Sequence, residues 1–272
     1  MKMQSILFGA CMALLAAPLW AASFPADVLA RMRDADVVLL GEVHDNPAHH
    51  ALQAEALEAL RPPAVVWEML SPETAARFQA GWLDDPEHMA QALDWAAREW
   101  PGFDLYQVVL KAARGSAIYG GLVPRQKVQA VIDSGIAVVF GSQAAKYGLM
   151  IPLAPADQAA REAEQLAAHC DAIPVAQLPV MVAIQRLRDA VLAQAVITAM
   201  DETGGPVVVI TGNGHARTDQ GIPEVLARVA PGLRVFALGQ SEDGAITGSF
   251  DAVVDSPAVE RPDPCEVFRN RG

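Results

Sequence analysis

Five short runs of β-branched and aliphatic residues, at 37–40, 64–67, 116–119, 207–211 and 233–238, constrain this chain more than any other feature. Each run is continuous. A strand with one wet face alternates apolar and polar residues, so a continuous run suits a strand covered on both faces, as in a parallel sheet. Helical stretches with readable ends lie between the runs. Asn46-Pro47, Ser71-Pro72 and Asp85-Pro86 each set a capping residue before a proline at the first helical position, and Arg61-Pro62-Pro63 stops the first helix. Residues 103–114, 156–169, 178–201 and 222–229 carry further helical patterns. Strand and helix in alternation predict an α/β fold, a mostly parallel sheet with helices on both faces. The segment 136–140 reads as a sixth strand or a helix end, and 250–254 as an antiparallel edge strand after the Gly244–Gly248 turn. Residues 71–114 hold several helical signals and no strand, the pattern of a helical insertion forming a small lobe or lid.

Residues 1–22 read as an export signal: Lys2, an uncharged apolar run over 6–17, then Leu19-Trp20-Ala21-Ala22 for cleavage. A membrane span needs about 20 continuous apolar residues, and Pro18, Ser23 and Asp27 break the run. Phe8-Gly9-Ala10-Cys11 loosely resembles a lipid-attachment box, the mark of an outer-membrane lipoprotein, but the apolar run before Cys11 is short and continues beyond it. The expectation is therefore one α/β domain over 23–272, periplasmic or secreted. In an oxidising compartment the remaining cysteines, Cys170 and Cys265, can pair; two separately buried thiols are the alternative. The net charge of −12, from 20 Lys and Arg against 32 Asp and Glu, argues against a nucleic-acid partner.

In open parallel sheets, ligands bind beyond the carboxyl ends of the strands. Here those ends are polar. The first runs into Gly41-Glu42-Val43-His44-Asp45-Asn46, the second into Glu68, the third into Gly120-Gly121 and Pro124-Arg125, and the fourth into Gly212-Asn213-Gly214-His215-Ala216-Arg217. Glu42 and His44 share a face of an extended segment. With His215 they can ligate a divalent metal ion, or Glu42, His44, Glu68, Arg125 and His215 can form a catalytic set with Glu68 activating water. Arg125 and Arg217 suit a carboxylate or phosphate. Any one such residue is more often a cap or a satisfied polar group; the agreement of four strands points to a site. There is no HExxH, CxxC or Walker loop. His49 and His50 read as a solvated helix face, and Gln185 and Asp189, one turn apart, as a structural polar network if buried.

The segments VVLLGEVHDNPAHH at 37–50, WEM at 67–69, VPR at 123–125, AHCDAIP at 168–174, IQRLRDA at 184–190 and VVVITGNGHARTDQGIP at 207–223 resemble the ChaN family. That family belongs to a wider Tiki and erythromycin-esterase-like group, which includes metal-dependent proteases and hydrolases. The resemblance implies an α/β haem-binding envelope protein of haem or iron uptake. It also implies a homodimer with tyrosine ligation of haem, and a membrane uptake partner. The wider group's functional motif falls on Glu42, His44 and His215, with Glu68 and Arg125 as companions. No motif selects among Tyr106, Tyr119 and Tyr147, so all three stand as haem-ligand candidates. A haem or iron carrier and a metal-dependent peptidase or esterase are the two functions this implies. A non-catalytic descendant of such a hydrolase is a third.

Overall fold

The computed structural model describes residues 24–98, 100–263 and 265–266. The expected export signal and Cys11 lie outside them. Helix α1 (Ala26–Asp34) leads into β1 (Val37–Glu42), α2 (Pro47–Leu60) and β2 (Ala64–Trp67). Then come α3 (Pro72–Ala76), α4 (Pro86–Ala92) and α5 (Phe103–Ala112), with 3-10 turns at Ala80–Asp84 and Trp95–Arg98. After β3 (Ala117–Gly120) follow α6 (Arg125–Phe140), α7 (Pro155–Ala168) and the long α8 (Leu178–Thr203). The chain ends with β4 (Val207–Gly212), α9 (Asn213–Ala216), α10 (Ile222–Val229), β5 (Val235–Glu242) and β6 (Ala252–Ser256).

The six strands form one all-parallel sheet in the order β3-β2-β4-β1-β5-β6. The continuous runs are explained by two cores. Val38 and Leu40 of β1, Val65 and Trp67 of β2, and Val208 and Ile210 of β4 face the core shared with α1, α2 and α5. Their neighbours Val37, Leu39, Ala64, Val66, Val207 and Val209 face the core under α6, α8 and α10. Leu83, Met89, Leu93, Trp95 and Tyr106 of the 71–114 segment belong to the first core, so this segment covers one face of the sheet.

The structure corrects one strand and resolves another. Residues 136–140 are the end of α6, bent at Gly135, whose φ is 75°. The last strand is parallel to β5, not antiparallel. After the turn at Gly244 the chain does not zip back as a hairpin. It crosses β5, with Ile246 and Phe250 packed where a side chain at Gly239 would sit. The Asp251 carboxylate then accepts from the Ala237 N–H, which starts β6 alongside β5 in the same direction. Among the described residues no helix is long and apolar enough to cross a membrane.

Because every strand is parallel, all carboxyl ends share one edge. The order puts β4 between β1 and β2, so Glu42, Gly212 and Glu68 end side by side.

Candidate functional site

Glu42 closes β1 with a fully buried side chain. Its Oε1 accepts from the Tyr106 hydroxyl at 2.6 Å and lies 2.7 Å from His44 Nδ1, while its Oε2 accepts from Gln53 at 2.6 Å. Burial pushes this carboxyl up, and His44, His50 and Tyr106 together bring it below the ordinary value. Tyr106 is driven the other way: burial and the Glu42 charge hold its hydroxyl protonated. Among the described residues, no three His, Cys, Asp or Glu side chains are placed to hold a metal ion. The structure does not bring Glu42, His44 and His215 together as the expected metal set. Glu42 sits on the Nδ1 side of His44, where it orients the ring and leaves Nε2 to face elsewhere.

His49 and His50 also depart from expectation. Both are fully buried, because the first turn of α2 faces inward. His50 Nε2 bonds the His44 carbonyl at 2.9 Å. His49 Nδ1 accepts from the Val43 N–H at 2.9 Å, and its Nε2 lies 3.3 Å from the Ser241 carbonyl. Burial lowers the pKa of His49. The two rings pin the turn that carries His44.

Glu68 follows β2. Its Oε2 accepts from the Thr211 hydroxyl at 2.7 Å and the Gly212 N–H at 2.8 Å. Its Oε1 faces His215 Nε2 at 3.5 Å and His44 Nε2 at 4.0 Å. His215, in α9, lies with Nδ1 2.6 Å from Asp189 and 3.1 Å from Gln185, both on α8. The result is an alternating row: Glu42, His44, Glu68, His215, Asp189. Two carboxylate–imidazole pairs aim their Nε2 atoms at one central carboxylate. Burial pushes Glu68 up, but His215, His44 and the Gly212 N–H outweigh it and hold the group well below the carboxylate range. Burial pushes His215 down, but Glu68 and Asp189 raise it to about 10. Burial raises Asp189, and His215 draws it partly back.

This row makes stability pH-dependent. The folded chain keeps the His215 proton that the unfolded chain releases near 6.5. The stabilisation is fully present below that pH and is lost as the pH rises towards about 10. We expect the melting temperature to fall from pH 7 to 10. One retained proton corresponds to about 1.4 kcal/mol per pH unit. Thermal melts of the wild type and His215→Gln check this: the variant should show a shallower slope, and identical slopes would contradict the assignment.

Beside Glu68 opens a cleft of about 730 Å3, lined by Trp100, Leu122, Val123, Arg125 and Arg188 among others. Trp100 also packs on the His44 ring, with centroids 4.9 Å apart. Its indole N–H is buried and has no hydrogen-bond partner among the described residues. Arg125 opens α6 at this cleft, as its strand-end position implied. Arg217 does not reach it; its guanidinium is held by Glu164 and Asp219. The three tyrosines separate. Tyr106 is buried behind Glu42, Tyr119 on edge strand β3 donates to Glu202, and Tyr147 packs on Phe140. None of them lines the cleft. Cys170 and Cys265 form a disulfide that ties the turn before α8 to the C-terminal tail.

Gln185 and Asp189, expected as a polar network if buried, prove to hold His215, a role at the strand ends that their spacing alone did not give, and Trp100 joins them at the cleft. None ends a strand. The spacing of Gln185 and Asp189 on one helix face was the available signal, but it did not say what that face meets.

The fold has solved relatives. A ChaN structure from Campylobacter jejuni, described as showing cofacial heme binding, matches 84% of this chain and 89% of its own at 19% identity, with a TM-score of 0.64. The type III effector HopBA1 matches 85% of this chain and 91% of its own at 12% identity, with a TM-score of 0.46. No curated protein matches the sequence. Residues 28–226 match the family described as haem-binding uptake, Tiki superfamily, ChaN, and the chain belongs to that family.

Proposed function

We propose that this chain binds haem in the cleft beside Glu68, as cargo of a haem- or iron-uptake process outside the cytoplasm. The cleft itself carries the reading. Its volume of about 730 Å3 falls in the range of roughly 300–1,000 Å3 typical of small-ligand pockets. Trp100, Leu122 and Val123 offer the apolar walls that a flat macrocycle needs, and Arg125 and Arg188 suit its two propionates. The unpartnered Trp100 N–H is a further donor for a bound ligand. Glu68 lines the cleft, with His44 Nε2 4.0 Å from its Oε1. The family and the C. jejuni relative support haem as the ligand. Location outside the cytoplasm is supported by the export-like residues 1–22 and by the Cys170–Cys265 disulfide.

Hydrolysis at the same strand ends has less in its favour. The paired imidazoles around Glu68 suit acid–base work in outline, but such groups work best with pKa values near the operating pH. Glu68 lies well below that and His215 at about 10 lies above it. Titration of the mature chain with hemin tests the haem reading: a saturable Soret band should develop, and an unsaturable rise would refute it.

A further inference from the structure

A second cavity, of about 200 Å3, lies where residues 147–157 meet α8 and α10. Arg161, Arg186 and Arg228 converge on it, in a chain of net charge −12 with only 20 Lys and Arg. Arg161 is paired with Glu224 at 2.7 Å. Arg186 spends part of its guanidinium on the carbonyls of Gly148 and Ile151, each at 2.9 Å. Among the described residues neither Arg186 nor Arg228 makes an ion pair with a carboxylate. Burial, with Arg161 and Arg228 close by, lowers the proton affinity of Arg186. Asp157, Asp189 and Glu224 also line the cavity, but Glu224 is engaged by Arg161 and Asp189 by His215. Arg186 and Arg228 lie close enough to repel each other and keep N–H donors that no carboxylate among the described residues takes up. Their fork geometry matches an oxyanion.

We propose that this cavity binds a small phosphate-type oxyanion, either inorganic phosphate or a phosphate monoester. Its volume lies below the roughly 300–1,000 Å3 of ordinary ligand pockets, so a haem does not fit and the ligand is small. The site is also wired to the first. Asp189 lines the cavity and holds His215 Nδ1, so a bound anion strengthens the hold on the His215 proton.

The test is calorimetric titration of the intact chain, without hemin, with inorganic phosphate and separately with glycerol 3-phosphate. One saturable site per chain is expected; the tighter of the two names the source. Arg228→Gln and Arg186→Gln should each weaken binding about tenfold or more, while Arg33→Gln, the same charge change on exposed α1, should not. The His215 ring resonance should move on saturation. Absence of saturable binding overturns the proposal, as does equal weakening by Arg33→Gln. Should Arg186→Gln fail to fold, the exposed Arg228→Gln decides alone.

Discussion

Glu42→Ala should lower the stability of the fold by about 3–5 kcal/mol, the loss typical when one partner is removed from a buried charged network. The Glu42 side chain is fully buried and serves Tyr106, Gln53 and His44 at once. Truncation takes this acceptor from the buried Tyr106 hydroxyl, from the buried Gln53 amide, which keeps the Leu40 carbonyl, and from the half-buried His44 imidazole, and each group left unsatisfied costs about 1–3 kcal/mol. Tyr106 and Gln53 cannot turn to water, since both are buried. Glu42→Gln keeps one acceptor oxygen and should lose less. Urea denaturation of the three proteins checks the order. A loss below about 1 kcal/mol for the alanine variant would mean that water or a rearranged Tyr106 replaces the carboxylate. The same experiment separates two roles for Glu42. A metal ligand would be silent in metal-free protein, whereas a keystone of the strand end is costly to remove under any condition.

Trp100→Ala should weaken hemin binding about 30-fold or more. Truncating a well-placed aromatic anchor commonly costs about 2 kcal/mol or more, which is a factor of about 30. Trp100 forms a wall of the cleft and covers the His44 ring. Its loss removes the flat apolar surface and admits water to the Glu68 edge. Arg125→Ala with Arg188→Ala should act differently. Exposed ion pairs contribute about 0.2–1 kcal/mol each, so the double variant should lose about two- to thirtyfold, with the difference vanishing in high salt. Fluorescence-quenching or absorbance titrations at low and high salt measure both. Unchanged affinity in both variants would move the haem elsewhere on the molecule.

The sheet was legible because burial on two faces leaves a simple mark. The runs at Val37, Ala64 and Val207 are continuous since one residue feeds each core in turn. The direction of β6 was not legible. Gly244 and Gly248 signal a turn, and the same signal serves a hairpin or a crossing back over the sheet. The choice depends on Gly239 admitting Ile246 and Phe250, a contact between positions that local pattern does not link. At the edge of the sheet, parallel topology alone gathered Glu42, His44, Glu68 and His215. Which atom of each faces its neighbour depended on α2 and α8. Their buried faces supply His50, Gln53, Gln185 and Asp189. A helix buried on several sides shows no polar stripe, so His49 and His50 gave no sign of facing inward. Arg217 likewise had its partners, Glu164 and Asp219, on a distant helix and a following loop.

Iron reports the location of the ligand directly. In crystals of the hemin complex, anomalous scattering should place the iron in the cleft beside Glu68, with the macrocycle against Trp100 and the propionates near Arg125 and Arg188. An iron peak beside Tyr119 or in the cavity next to Tyr147, with the cleft empty, is incompatible with haem binding beside Glu68.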